Sequence, residues 1–360
     1  MSSRVPRRFG FPIAVVLTVA ACSSAATPAP TAAPSKAPAS AAASVAPTAT
    51  PLPGTKKFSV GFTSAGISSA GFMAALDTLN KEQGYTIDYP IVDSSELVTQ
   101  GVATGQFAFG SGANNSVMAA IEKGANLRLV ISRVKNEWSM YAPKSVTTCA
   151  GLDGKKLALH SEGAVSTAMV KNWVNTKCPG TKPNYVIIAG SDNRVAALLA
   201  NQIDASPVEL GDAVTLDLKA ADRYALLSNF GADLPDLQVT SIYVNTEWAA
   251  ANPGSVVAVI KAVLAQYKKI DGNAAYLKEI SQKFVPNSLN KDTVDAAVKK
   301  YTDLKMFPTD GGITDANLTY TAKFFGPAPD GTGATAKLVA LSSFADTTFL
   351  KRALAELGTK

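Results

Sequence analysis

Residues 105–115 read Gly105-Gln106-Phe107-Ala108-Phe109-Gly110-Ser111-Gly112-Ala113-Asn114-Asn115. The short apolar run at 107–110 suits a strand, and Ser111–Asn115 has the small polar composition of a loop. Asn114 or Asn115 can then cap a helix that runs to Gly124. A strand, a small polar loop and a helix, in that order, make the unit from which parallel sheets flanked by helices are built. The unit recurs on the N-terminal side. Phe58, Val60 and Phe62 alternate, Thr63-Ser64-Ala65-Gly66 follows, and Phe72, Leu76 and Leu79 lie on one helix face that ends at Gly84. Tyr85, Ile87, Tyr89 and Ile91 alternate next, a helix is expected at 95–105, and Leu127, Leu129 and Ile131 give another strand.

After Lys144 a second series begins. Lys155–His160 is read as a strand, Ser161-Glu162-Gly163-Ala164 as its loop, and Val165, Met169 and Trp173 as one helix face. Tyr185–Ala189, a helix at 193–200, Ile203–Val208 and then Glu209 continue the alternation. Val239–Val244 reads as a strand, and Pro253–Ile270 as a long helix with proline in its first turn. Beyond it the chain looks mostly helical.

The loops at Thr63–Gly66, Ser111–Asn114, Ser161–Ala164 and Glu209–Asp212 each follow the carboxyl end of an expected strand, which is where open α/β sheets bind ligands. Helix-start N–H groups and short hydroxyls there suit an anionic or polar group. The candidate ligand-binding residues are therefore Thr63, Ser64, Ser111, Gly112, Asn114, Ser161, Glu162, Gly163, Ala164 and Glu209. The same residue types also serve as plain helix caps. Glu209, if it faces inward and stays ionised, repels a bare anion and favours a ligand with an amine or ring N–H.

Several chemistries are excluded by what the sequence lacks. One histidine (His160) and three cysteines (Cys22, Cys149, Cys178) without a C-x-x-C leave no zinc-ligand pattern. Gly110-Ser111-Gly112 lacks the third glycine of a dinucleotide fingerprint, and no phosphate-binding G-x-x-x-x-G-K-[ST] occurs. No catalytic residue and no cofactor is implied, and His160 is expected to be packed or hydrogen-bonded in its strand. The formal charge of +6 comes from the front of the chain, since residues 57–360 carry 29 bases against 28 acids. That balance gives nucleic-acid binding no support.

The front of the chain reads as an address. Arg4, Arg7 and Arg8 precede an apolar stretch, Phe9 to Val19, too short to span a bilayer. It ends in Val19-Ala20-Ala21-Cys22, which resembles the bacterial lipobox. Residues 1–21 are expected to be a signal peptide and Cys22 an acylated N-terminus. Of residues 23–53, 28 are Ala, Pro, Ser or Thr, seven of them proline, so 22–56 is expected to be a disordered tether. With Cys22 acylated, Cys149 and Cys178 are the remaining thiols of an exported protein and are expected to pair.

Taken in order, Val60-Gly61-Phe62-Thr63, Gly105–Gly110, Leu152-Asp153-Gly154-Lys155-Lys156-Leu157-Ala158, Asn201-Gln202-Ile203-Asp204-Ala205, Asn252-Pro253, Phe307-Pro308-Thr309-Asp310-Gly311-Gly312-Ile313 and Phe349–Leu354 resemble the type II periplasmic binding proteins of ABC importers. Within them the chain is most similar to binders of aliphatic sulfonates, taurine, nitrate and thiamine-pyrimidine precursors. Gln106 and Asn201 depart from residues common in that family. The resemblance implies an α/β fold of two lobes around a cleft, with lobe one at 57–142 plus 242–360 and lobe two at 143–241. It also implies a monomeric solute receptor, lipid-anchored outside the cell membrane, that delivers a small molecule to a permease and its ATPase subunit. An enzyme on the same scaffold, or a ligand sensor without transport, are the alternatives. The family's synthase branch uses a cysteine-rich motif that this chain lacks.

Overall fold

The alternation at Phe58, Val60 and Phe62 forms β1 (Lys57–Phe62), whose inward residues Val60 and Phe62 are fully buried. The computed structural model describes residues 52–63, 65–92, 94–325 and 341–358. The signal peptide, Cys22, most of the tether and Ser64 lie outside the described residues.

After β1 come α1 (Ile67–Glu82), β2 (Thr86–Asp88), α2 (Ser95–Ala103), β3 (Phe109–Ala113), α3 (Asn114–Glu122) and β4 (Leu127–Val134). The next segment contains β5 (Ser139–Pro143), β6 (Lys156–Leu159), α4 (Val165–Lys177), β7 (Asn184–Ile187), α5 (Ser191–Leu199), β8 (Ser206–Val208), α6 (Leu210–Lys219), β9 (Tyr224–Asn229) and α7 (Phe230–Asp233). The chain then returns through β10 (Thr240–Asn245) to α8 (Thr246–Ala251), α9 (Pro253–Ile270), α10 (Ala274–Phe284), α11 (Val294–Asp303), α12 (Asp315–Phe324) and α13 (Thr348–Glu356).

One sheet has the order β2-β1-β3-β10-β4. Its first three strands are parallel, but β10 runs antiparallel to both β3 and β4. In the other lobe β5 pairs antiparallel with β8 and β9, β6 pairs parallel with β7, and the bridge Leu157–Ala205 ties the two groups. The sheets are thus mixed, where repeated strand–helix units alone suggest purely parallel ones. Each antiparallel strand lies next to a crossing: β5 enters the second sheet, and β10 re-enters the first. The chain leaves the first sheet between Val134 and Ser139 and returns between Asn229 and Thr240.

The two crossing segments brace each other. Asn136 Nδ2 donates to the Phe230 carbonyl at 2.8 Å, and the Gly231 N–H donates to the Trp138 carbonyl at 3.3 Å. A Cβ on Gly231 would stand 2.4 Å from the Asn136 carbonyl oxygen, so the approach requires glycine. The long helix α9 covers the first sheet and packs on α1, where Gly71 admits the side chains of Tyr267 and Ile270. The second lobe keeps its own apolar cluster around Tyr141, Leu198, Leu216 and Tyr224. Cys149 and Cys178 are joined there as a disulfide with Cα atoms 5.9 Å apart, tying the turn before β6 to the end of α4. None of the described helices is long and apolar enough to cross a membrane.

Candidate functional site

At the seam of the lobes the chain leaves two connected spaces. The larger, of about 280 Å³, is lined by Thr63, Gly66, His160, Gly190, Ser191, Asp192, Glu209 and Asp212, and closed on one side by Thr293 and Tyr301. The smaller, of about 40 Å³, holds Arg133, Trp138, Ser166 and Thr240. Thr63, His160, Gly190, Ser191 and Glu209 line both.

Of the residues expected at the site, Thr63 and Glu209 stand in both spaces and Ala164 in the smaller. Glu209 is the backbone N-cap of α6, yet its side chain makes no capping bond. It reaches across the seam, where a Cβ placed on Gly66 would lie 2.8 Å from its Oε2. Inward orientation is therefore what the structure gives.

Ser111, Gly112 and Asn114 are placed differently. Ser111 and Gly112 belong to β3, paired with β10 and fully enclosed, and not to a loop. The small residues there serve strand packing, since a Cβ on Gly110 would lie 2.4 Å from the Tyr243 ring. Asn114 is buried and donates through Nδ2 to the Gln238 carbonyl at 2.7 Å, fastening α3 to the returning chain. None of these three lines either space of the seam.

Ser161, Glu162 and Gly163 form a clasp between the lobes. The Gly163 N–H donates to Glu96 Oε1 on α2 at 2.7 Å, and the Ser161 hydroxyl donates to the same carboxylate at 3.3 Å. The Gly163 carbonyl accepts from Asn115 Nδ2 at 2.7 Å and Ser116 Oγ at 2.8 Å. Glu162 is exposed and paired with Lys171 at 2.6 Å. A second contact lies at the opposite side, where Thr215 of α6 and Thr293 before α11 share a 2.8 Å hydrogen bond.

The electrostatics of the seam are unusual because few of its charges are fully paired. Burial, aided by the Glu209 charge, pushes the Glu137 carboxyl up to about 8, while Arg133 and a hydrogen bond from the Tyr301 hydroxyl oppose the shift. Burial also raises Glu209, against the pull of Arg133 and Arg194. Asp212 is pushed up to about 7 by burial and the nearby acids, with Ser191 opposing. Desolvation and the Arg194 charge hold His160 down at about 4, so it is neutral at physiological pH. Its Nδ1 accepts the Gly190 N–H at 3.1 Å and is not free to draw a proton from a serine. Arg194 is completely buried and clamps the loops below the site, donating to Ser206 Oγ at 3.0 Å and to the Ile188, Gly190 and Pro207 carbonyls.

Sequence reasoning missed Arg133, Trp138, Ser166 and Thr240 as site residues, and the buried Glu137 beside them, while Asp212 entered only as the end of the Glu209–Asp212 loop. Arg133 carried a readable signal, a lone charge in the otherwise uncharged run Leu129-Val130-Ile131-Ser132-Arg133-Val134. Trp138 and Thr240 carried none, because they reach the seam only through the two crossings. Among the described residues no group of three or more His, Cys, Asp or Glu is arranged to hold a metal ion. The arrangement can enclose and hydrogen-bond a small polar molecule between two lobes.

Comparison with known proteins matches a family model described as NMT1/THI5 like over residues 78–273, more than half of the chain. No curated protein sequence matches. The fold is that of solved two-lobed binding proteins. The ligand-binding component of an ABC-type import system from Staphylococcus aureus, solved with zinc bound, has a TM-score of 0.68 at 12% identity, covering 83% of this chain and 99% of that one. The alkanesulfonate-binding protein SsuA from Xanthomonas axonopodis pv. citri, bound to MOPS, gives 0.61 at 15% identity, with 84% and 99% covered. The periplasmic nitrate-binding protein NrtA from Synechocystis PCC 6803 gives 0.61 at 12% identity, with 85% and 90% covered.

Proposed function

The chain belongs to the NMT1/THI5-like family, and from that membership and its seam we propose that it is the solute-binding lipoprotein of an ABC importer. It captures a small polar organic molecule outside the membrane and delivers it to a permease and its ATPase subunit. Residues 1–21 serve as the signal, acylated Cys22 as the anchor, and 22–56 as the tether that holds the monomeric receptor near the permease. The observation that carries the reading is the pair of cavities between lobes, which share five lining residues, the smaller one holding four buried polar side chains without protein partners. A site of this construction gains its full set of contacts only when both lobes engage the solute.

The ligand class supported is a sulfonate, a taurine-like compound or an aminopyrimidine, with Glu209 disfavouring a bare anion such as nitrate. A thermal-shift screen of alkanesulfonates, taurine, nitrate and aminopyrimidines tests this. Any true ligand at 100 times its Kd should stabilise by about 2.7 kcal/mol. Chemical turnover of the stabilising compound would transfer the protein to the enzyme class. Stabilisation by none of them would contradict the proposed solute classes.

A further inference from the structure

The seam between the lobes encloses more acid than base. Glu209 caps α6 and Asp212 lies in its first turn, both on the second lobe, while the buried Glu137 sits in the outgoing crossing. The cations near them are Arg133 of β4 and Arg194 of α5. Neither forms an ion pair with a carboxylate, since the ion pairs among the described residues all lie elsewhere. Arg194 donates instead to Ser206 and to backbone carbonyls.

Elements of the first lobe close over these acids. The Tyr301 hydroxyl of α11 donates to Glu137. A Cβ on Gly211 would lie 3.2 Å from Ile67 Cδ1 of α1 and 3.7 Å from the Tyr301 ring, so the start of α6 is pressed against both helices. The Thr215–Thr293 hydrogen bond lies further along α6, and the exposed Lys219–Asp292 pair follows at 2.5 Å. The acids are shielded from bulk water because the lobes meet there. An ionised carboxylate with little water and no paired cation is costly, and it takes up a proton instead. Separating α6 from α1 and α11 restores water and removes that cost.

We propose that Glu137, Glu209 and Asp212 are a proton-operated catch: the seam closes when they hold protons and opens as they ionise. Linkage makes the relation reciprocal, so closing takes up protons and alkaline surroundings favour the open form. The catch regulates the receptor proposed above and rests on that reading for its role, while its test needs no solute. Burial raises all three carboxyls, in line with the geometry. The ionisable groups facing them are Arg133, Tyr301, Asp192 and Arg194 of α5, and His160 after β6, which also feels Glu96 of α2. Burial holds Tyr301 above its usual range, as it does Tyr243 of β10 and Tyr267 of α9 beside Arg133, and holds His160 below its own. None of these tyrosines, nor His160, changes charge between pH 6.5 and 8.

Fluorescence energy transfer across the lobes tests the catch on the ligand-free mature chain carrying Cys22→Ser, with the Cys149–Cys178 disulfide intact. Dyes are placed on two exposed cysteine pairs, Glu82→Cys with Asp222→Cys and Lys123→Cys with Asp222→Cys. Between pH 6.5 and 8 the ratio of closed to open chains should fall by up to about tenfold per pH unit for each proton released. The double variant Glu137→Gln/Asp212→Asn mimics the protonated side chains and should stay closed across the same range. Transfer in the otherwise unaltered chain that does not change with pH in either pair would overturn the catch, whether or not the double variant folds. An equal pH response in a folded double variant would also overturn it. Either failure leaves the receptor reading standing, because that reading is decided by the thermal-shift screen.

Discussion

Glu137 ties the stability of the protein to pH. Its carboxyl rises from 4.5 to about 8 in the folded chain, so the folded state holds a proton that the unfolded state has lost. Its contribution is complete below pH 4.5 and disappears as pH climbs through about 8. Asp212, raised from 3.8 to about 7, acts in the same direction. His160, lowered from 6.5 to about 4, acts oppositely, but only below about pH 6.5. The window from pH 6.5 to 8 therefore isolates the acids, and stability should fall across it by up to ~1.4 kcal/mol per pH unit for each proton involved. Denaturant melts at pH 6.5, 7.2 and 8.0 should show this fall, reduced in Glu137→Gln. A wild-type stability that rises over the same range would contradict the buried acid cluster. The residue scale was also where sequence reading was least complete. Glu209 was legible because it follows a strand and opens a helix, whereas Glu137 sits in a crossing with no periodicity to mark it.

At the scale of elements, the strand–loop–helix alternation was legible throughout the first series, since buried strands and helix faces leave distinct spacings. The boundary at Ser111 was not. Small polar residues read equally well as a loop or as a strand flattened beneath a large neighbour, and only the facing Tyr243 decides between them. Likewise β5 and β9 carry no clean alternation, because their pairing is set by the crossing between lobes. The Ser161–Gly163 loop was found by its position, but its polar groups bind Glu96, Asn115 and Ser116 of the other lobe. Glu96→Ala removes the acceptor of that clasp. Small-angle scattering of the ligand-free variant should show a larger radius of gyration than wild type, and an unchanged radius would mean the clasp does not hold the lobes. The disulfide staples the end of α4 to the turn before β6 across a separation of 29 residues. Replacing both cysteines with alanine should cost about 3–4 kcal/mol on loop-entropy grounds. Mass spectrometry of unreduced peptides checks the bond itself, and free alkylation of both thiols would remove it.

For the whole molecule, the organisation into two lobes was visible as two series of β/α units, while the cleft chemistry was not, because it is assembled from segments far apart in sequence. Arg133 is the penultimate residue of β4, Ser166 lies in the first turn of α4, Glu209 caps α6 and Thr240 starts β10. The proposed anchor belongs to the chain's other end. Cys22→Ser should release the protein from membranes after salt washing, and retention would refute acylation at that cysteine. The central claim is that a solute is held between the lobes. Hydrogen–deuterium exchange of the mature chain, with and without the probe giving the largest thermal shift, tests it most directly. Exchange should slow together at 133–138 and 240–242 on one side of the seam and at 160–166 and 209–212 on the other. Slowing confined to one lobe would contradict the account.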